Sequence, residues 1–359
     1  MDPTGARQPA DERARRAGGL VAAALDARAF PAAVVEVGSR ADVIWTEAFG
    51  RLTFERDAPA CRLDTIFDLA SLTKVIAAVP LVMRAIEQGG LALDTCVADV
   101  VPAWRGADRA AVTVRHLLDH SAGLPAHQRL WQRLERRDQV EAAVATLPLE
   151  RPPGTAAVYS DPGFILLTFV LERALGARLD ALFRPLSATL GPVLTFTPAP
   201  ALRDDIAPTE DDPWRGRVLR GEVHDENAAL CEGVAGHAGL FGTAGAVGRF
   251  ARLALETFTR PTALGAPELM RTFAARSTVP GSSRALGWDT MLPTSSCGGK
   301  LSAQAIGHTG FTGTSLWIDP ARDFYVVLLT NRVHPTRENV QLQALRPRLH
   351  DALVEGFGA

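Results

Sequence analysis

Strand-forming segments sit at the two ends of this 359-residue chain, and the stretch between them is helical. Residues 32–37 and 42–49 are apolar, β-branched runs separated by a Gly38-Ser39-Arg40 turn, and residues 52–54 extend them as a meander. Near the other end, residues 314–319 and 324–330 flank Pro320-Ala321-Arg322-Asp323, a spacing that predicts a hairpin. Strands at both ends with helices between them imply one sheet assembled from both chain ends. The predicted fold class is therefore α/β + α: an antiparallel sheet flanked by helices, carrying an inserted, mainly helical domain. The expected boundaries are residues 1–90 and 236–359 for the α/β domain and 91–235 for the helical one, in keeping with roughly two domains for a chain of this length.

Residues 10–28 read as an amphipathic helix. Residues 71–88 place Val75, Val79, Val82 and Ile86 on one helical face, with Gly89-Gly90 as a stop and a kink expected at Pro80. Further helices are expected over 114–120 with Thr113 as N-cap, over 128–145, over 164–175 closed by Gly176, and over 337–355. Residues 191–227 are rich in Pro, Asp and Arg, lack periodicity, and read as a long loop.

The net charge of −2 argues against nucleic acid and against an anionic membrane surface as partners. No apolar run reaches the length of a membrane span. The first 28 residues mix arginines with acids and hold no apolar leader segment, so a cytoplasmic protein is expected. Cys61, Cys96, Cys231 and Cys297 are far apart, which suits reduced thiols and suggests neither a disulfide framework nor a metal site.

Only two of the 38 basic residues are lysine, Lys74 and Lys300. Arginine serves on surfaces and in ion pairs but does not readily give up its proton, whereas a buried lysine can act as a base. Lys300 lies in a loop with no partner in view. Lys74 follows Ser71 by three residues, and positions i and i+3 of a helix share a face. Ser71 at the start of that helix would gain from the dipole and from free backbone N–H groups. Tyr159 follows a Pro152-Pro153-Gly154 turn and opens Tyr159-Ser160-Asp161; it reads either as a proton relay or as a packing residue. The other tyrosine, Tyr325, lies in an apolar strand and reads as core. His308-Thr309-Gly310 precedes Phe311-Thr312-Gly313 and a strand, where small residues let a substrate lie along the strand edge.

Taken in order, Ser71-x-x-Lys74, Tyr159-x-Asp161 and His308-Thr309-Gly310 resemble the motif set of the serine β-lactamases and penicillin-binding proteins, in particular their class C and esterase branch. The stretch from Thr113 to Pro125, Gly287-Trp288 and Trp317-Ile318-Asp319-Pro320 are similar to that family too, so the resemblance spans about residues 30–350. It implies the serine β-lactamase-like fold, an acyl-enzyme on Ser71, a general-base role shared by Lys74 and Tyr159, an oxyanion hole from the Ser71 and Phe311 N–H groups, and no cofactor. Asp161 stands where the family usually has Asn, and His308 where it usually has Lys. An Asp would hold Lys74 protonated more firmly. A His is a weaker anchor for the carboxylate that β-lactams and D-alanyl-D-alanine peptides present. Arg332 is a candidate for the missing cation.

Segments 206–227 and 233–241 further resemble a bacterial subgroup that includes amidases acting on N-acetylmuramyl-L-alanine, with His224 and His237 as possible substrate-binding residues. The expected activity is hydrolysis of an ester or amide, with muropeptide fragments or small esters as candidate substrates. The alternatives are a β-lactamase or D-alanyl-D-alanine carboxypeptidase, and a non-catalytic penicillin-binding-like sensor. A metal-dependent hydrolase using His224, Asp225, Glu226 and His237 is a rival reading, although their spacing fits no zinc signature. Gly233, Gly236 and Gly239 read as a tight turn rather than a dinucleotide loop. His116, His120, His127, His334 and His350 read as surface or packing residues, and the 129–137 run as a solvated helix face.

Overall fold

A computed structural model describes residues 10–191 and 193–358. The leader reading of residues 1–9 and the start of the first domain lie outside the described residues. Six antiparallel strands form the main sheet in the order Val43–Gly50, Ala32–Gly38, Phe324–Thr330, Ser315–Asp319, Ile306–Thr309 and Asp289–Thr290. The two chain ends meet at its centre, where Val35 pairs with Leu328 and Val37 with Val326.

Alternate residues of the central strands feed two separate cores. Ala33, Val35, Val37, Trp317, Val326 and Leu328 pack with Val21, Leu349 and Leu353 of the helices Ala10–Asp26 and Gln341–Phe357. Val34, Leu316, Ile318, Val327 and Leu329 face the larger core, which includes the helix Ala244–Thr257. Covered on both faces, the strands at 32–38 and 324–330 are buried throughout. Their one acid, Glu36, accepts a hydrogen bond from Tyr325 Oη at 2.8 Å. Tyr325 is buried as expected, with that polar anchor added.

The helix Asp161–Leu175 is the main support of the middle segment, and its first eleven residues include ten that are buried. Ser160 caps it by accepting the Gly163 N–H, and Gly176 ends it at φ 72°. It thereby fixes the height of Tyr159 and Asp161 relative to the sheet. A small sheet of Phe67–Asp68, Leu240–Gly242 and Leu194–Phe196 joins the segment before Ser71 to the rest.

Several local expectations needed correction. Residues 52–54 form no strand; only an Arg51–Ala60 bridge lies there. The helix expected over 128–145 is a short 3-10 turn, Leu130–Gln132, and then Arg137–Thr146. The Gln139 side chain takes the N–H groups of Glu135 and Arg136, ending one element and starting the next. The long 191–227 segment is ordered by a strand at Leu194–Phe196, a 3-10 turn at Pro200–Asp205 and a pairing of Asp211–Asp212 with Arg217–Val218. The helix expected over 71–88 changes register: a π-helical turn, Lys74–Ala78, precedes the α-helix Val79–Glu87. Pro80 cannot donate to the residue four before it, so it falls in the first turn of the new register, not at a kink in a continuous helix. Among the described residues, no helix is long and apolar enough to cross a membrane.

Candidate active site

Ser71 sits on a turn wound more tightly than an α-helix. The N–H groups of Leu72, Thr73 and Lys74 bond the carbonyls of Leu69, Ala70 and Ser71 at 3.1, 3.0 and 3.1 Å. In such successive i→i+3 turns, side chains three apart eclipse. That places Lys74 Nζ 3.0 Å from Ser71 Oγ.

The turn is strained and braced. Ala70 has φ 47°, a left-handed conformation that costs a non-glycine residue about 1–3 kcal/mol unless its surroundings impose it. The bracing comes from Asp68, whose carboxylate accepts the Ala70 N–H at 2.8 Å and the His224 N–H at 2.7 Å. Burial nevertheless pushes the Asp68 carboxyl above its ordinary range. The hydroxyls of Thr312 and Thr314 donate to the carbonyls of Asp68 and Leu69 at 2.7 and 3.0 Å. Gly310 lies so close that a Cβ there would be 2.0 Å from Thr314 Oγ1 and 2.7 Å from the Leu69 carbonyl. Among the described residues, no protein acceptor takes the backbone N–H of Ser71 or of Phe311.

Lys74 is fully buried. Its ammonium donates to Ser71 Oγ, to Asp161 Oδ1 at 2.8 Å and to the His237 carbonyl at 3.0 Å. All three of its hydrogens are then in use. Burial alone would lower its pKa, but the Asp161 and Tyr159 charges outweigh burial and hold it above its ordinary value. Burial likewise works to raise Asp161; the Lys74 charge and the nearby His127 ring hold that carboxyl well below its usual range. The pair is ionised at rest, so Lys74 has no free lone pair for the Ser71 proton.

Tyr159 Oη donates to Ser71 Oγ at 2.8 Å. Burial and then the Asp161 charge push the phenol above its ordinary value, against the pull of Lys74. Lys74 Nζ and the Arg284 guanidinium lie 4.9 and 5.1 Å from the centre of its ring. The rings of His120 and His308 approach it at 4.7 and 5.8 Å. Asp161 Oδ2 also lies 3.7 Å from His127 Nδ1.

The remaining residues singled out in the sequence fall in different places. His308 is buried, and its Nδ1 bonds the Thr309 carbonyl at 2.8 Å. Burial and then the charges of Lys74 and Arg284 push its pKa down to about 3. His308 is thus neutral, with a bare Nε2 that has no protein partner among the described residues. Arg332 lines the cleft, but its guanidinium donates to the carbonyls of Phe311, Arg337 and Asn339 at 2.6, 3.0 and 2.8 Å. His224 Nε2 contacts Glu210 at 2.8 Å, and His237 Nε2 contacts Asp225 at 2.8 Å. The two histidines therefore serve different carboxylates, and no cluster of three metal-binding side chains occurs among the described residues.

Two clefts meet at Ser71 and Tyr159. One, about 420 Å³, is bordered by Arg284, His308, Phe311, Arg332 and Arg346. The other, about 330 Å³, is bordered by His127, His224, Asp225, Glu226 and Arg337. Sequence reasoning missed Asp68, His120, His127 and Arg284. His120 lies in a stretch whose family likeness was visible, yet it read as packing; it is buried against Tyr159. Arg284 stands three residues before Gly287, another visible likeness, but nothing local marked its role.

The family model described as Beta-lactamase matches residues 18–348. An N-acetylmuramyl-L-alanine amidase of Bacillus subtilis (strain 168) is 32% identical over 349 residues, covering 86% of this chain and 78% of that protein. Among solved structures, EstCE1, a hydrolase with promiscuous acyltransferase activity, superposes with a TM-score of 0.77 at 22% identity, over 96% of this chain and 99% of its own. A penicillin-binding protein homolog from Caulobacter crescentus gives the same TM-score at 20% identity, over 99% of this chain and 100% of its own. At these identities the two structures speak to the fold alone.

Proposed function

This chain belongs to the Beta-lactamase family, and on that premise we propose that it is a serine hydrolase that cleaves an ester or amide through an acyl-enzyme on Ser71. The observation that carries this reading is the contact of Ser71 Oγ with both Lys74 Nζ and Tyr159 Oη, at 3.0 and 2.8 Å, where two clefts meet. Ser71 Oγ bonds to the substrate carbonyl carbon as its proton passes into the Tyr159–Lys74 pair. The N–H groups of Ser71 and Phe311 receive the developing oxyanion. Tyr159 returns the proton to the leaving group as its bond to carbon breaks, and water then releases the acyl group.

Asp161 sets the pace. With Lys74 ionised and Tyr159 protonated, one proton must leave the pair before the Ser71 proton enters. Acylation is therefore slow at neutral pH and speeds up as pH rises. That same ion pair favours a second reading, a penicillin-binding-like sensor that acylates and turns over poorly. For the substrate we favour muropeptide fragments or small esters over β-lactams and D-alanyl-D-alanine peptides. The support is the neutral His308, the residues His224, Asp225 and Glu226 at the second cleft, and the likeness to the Bacillus amidase. We further propose a sheet-bearing domain of residues 1–90 and 236–359 with 91–235 inserted, and a cytoplasmic location.

Intact-mass analysis after exposure to a fluorophosphonate, with turnover of p-nitrophenyl acetate, tests the mechanism. An adduct lost in Ser71→Ala together with turnover supports the hydrolase; an adduct without turnover supports the sensor. Activity that survives Ser71→Ala but is lost to a chelator overturns both. Chromatography of N-acetylmuramyl-L-alanine digests then tests the substrate class.

A further inference from the structure

We propose that Arg284 is the specificity-determining residue of the larger cleft, where its guanidinium binds an anionic group of the substrate, a carboxylate or a phosphate. The proposal deepens the hydrolase reading and rests on it only for its kinetic arm. That cleft presents the guanidiniums of Arg284, Arg332 and Arg346 against two carboxylates, Asp161 and Asp289. Asp161 is already held by Lys74 at 2.8 Å. The cleft therefore carries an excess of positive charge beside the reacting serine.

The three guanidiniums are not equivalent. Arg332 is committed to three backbone carbonyls. Arg346 is almost fully buried under Thr314, whose carbonyl it meets at 3.4 Å. Arg284 is half-buried, and its only ion-pair partner among the described residues is Asp289 at 4.0 Å, a loose contact that an incoming anion could replace. Its guanidinium also lies over the Tyr159 ring, 5.1 Å from the ring centre.

The backbone presents Arg284 rigidly. Its carbonyl accepts the Ser277 N–H at 2.7 Å, and its N–H donates to Ser282 Oγ at 3.0 Å. The turn that follows is locked by the Ala285 N–H on the Trp288 carbonyl and the Gly287 N–H on the Leu118 carbonyl, at 2.9 and 2.8 Å. The support fixes where the side chain leaves the backbone, and the guanidinium fork matches the paired oxygens of a carboxylate or phosphate. His308 cannot substitute, because its Nδ1–H is spent on the Thr309 carbonyl and its Nε2 is a bare acceptor.

The test compares three chromogenic esters: p-nitrophenyl acetate, which is neutral; p-nitrophenyl hemisuccinate, with a carboxylate on the acyl side; and the acetate ester of 5-hydroxy-2-nitrobenzoic acid, with a carboxylate on the leaving group. The ratio of kcat/KM for the better anionic ester to that for the neutral one should fall about 10–100-fold in Arg284→Met, and Arg284→Lys should restore most of it. A ratio unchanged in Arg284→Met overturns the proposal. If the hydrolase reading fails and no ester turns over, benzoate and benzamide titrated into the Ser71→Ala protein decide separately. A benzoate preference that disappears in Ser71→Ala/Arg284→Met supports Arg284, and equal binding of the two probes overturns it.

Discussion

Replacing Asp161 with Asn separates the charge of this residue from its place in the hydrogen-bond network. Asn is nearly isosteric and still accepts from Lys74, so the variant removes the charge and little else. At 2.8 Å and an effective dielectric of about 20, the lost attraction is about 6 kcal/mol gross. Burial and the Asn dipole reduce the net effect on Lys74 to about 1–3 pK units. Tyr159 moves the same way, because the Asp161 charge raises it too. A group required in its deprotonated form produces a rate that rises with pH up to its pKa. The acid limb of Ser71 labelling should therefore move down by about 1–3 pH units in Asp161→Asn, whichever of Lys74 and Tyr159 takes the first proton. The assay is the second-order rate of fluorophosphonate labelling, read by intact mass between pH 5 and 10. The fold should survive with a loss of about 1–3 kcal/mol, since a buried ammonium keeps a neutral acceptor in place of its partner. A limb that stays in place, in a variant that still unfolds cooperatively, refutes the claim that Asp161 governs the base.

Lys74→Arg keeps a cation beside Asp161 but supplies no group that can lose a proton; labelling should fall at least about 100-fold, and full retention would show that the site needs charge there and not a base. Gly310→Ala should destabilise by about 1–3 kcal/mol in denaturant titrations and slow Ser71 labelling, because the new methyl strikes Thr314 Oγ1 and the Leu69 carbonyl that anchors the Ser71 turn. Burial pushes the Glu210 carboxyl up, but hydrogen bonds from His224 and Arg337 bring it down to about 2. A folded pKa below the unfolded value of about 4.3 contributes stability above that pH and loses it as pH falls towards 2. Glu210→Gln should flatten the dependence of the unfolding midpoint on pH in that window.

The cluster of Ser71, Lys74, Tyr159 and Asp161 was legible because each lies in a short motif, and in a chain with two lysines the Ser71-x-x-Lys74 spacing stands out. The antiparallel sheet was legible for a different reason: runs such as 32–37 and 324–330 are apolar enough to be covered on both faces. What could not be read is whatever depends on chain crossing. Asp68 acts on the Ala70 and His224 N–H groups, and His224 is 156 residues away. The π-helical turn at Lys74–Ala78 was hidden as well, since Pro80 signals a break without saying that the register changes before it.

The two departures from the family pattern have opposite electrostatic consequences, and they are coupled. Asp161 adds a negative charge beneath Tyr159 and holds both the phenol and Lys74 protonated. A neutral His308, its ring 5.8 Å from that of Tyr159, supplies no positive charge to ease ionisation of the phenol. The Arg284 guanidinium lies over the same ring, and burial, then the fields of Lys74 and Arg284, keep His308 neutral. With Asn at 161, a cation at 308 would leave the site strongly positive. With Asp at 161 and neutral His at 308, the Lys74–Asp161 pair balances itself, Lys74 is the cation that pulls on the phenol, and Arg284 is left as the loosely held cation of the cleft. A substrate anion resting on Arg284 leaves Lys74 as the cation acting on the phenol, so anchoring and proton transfer fall to different residues.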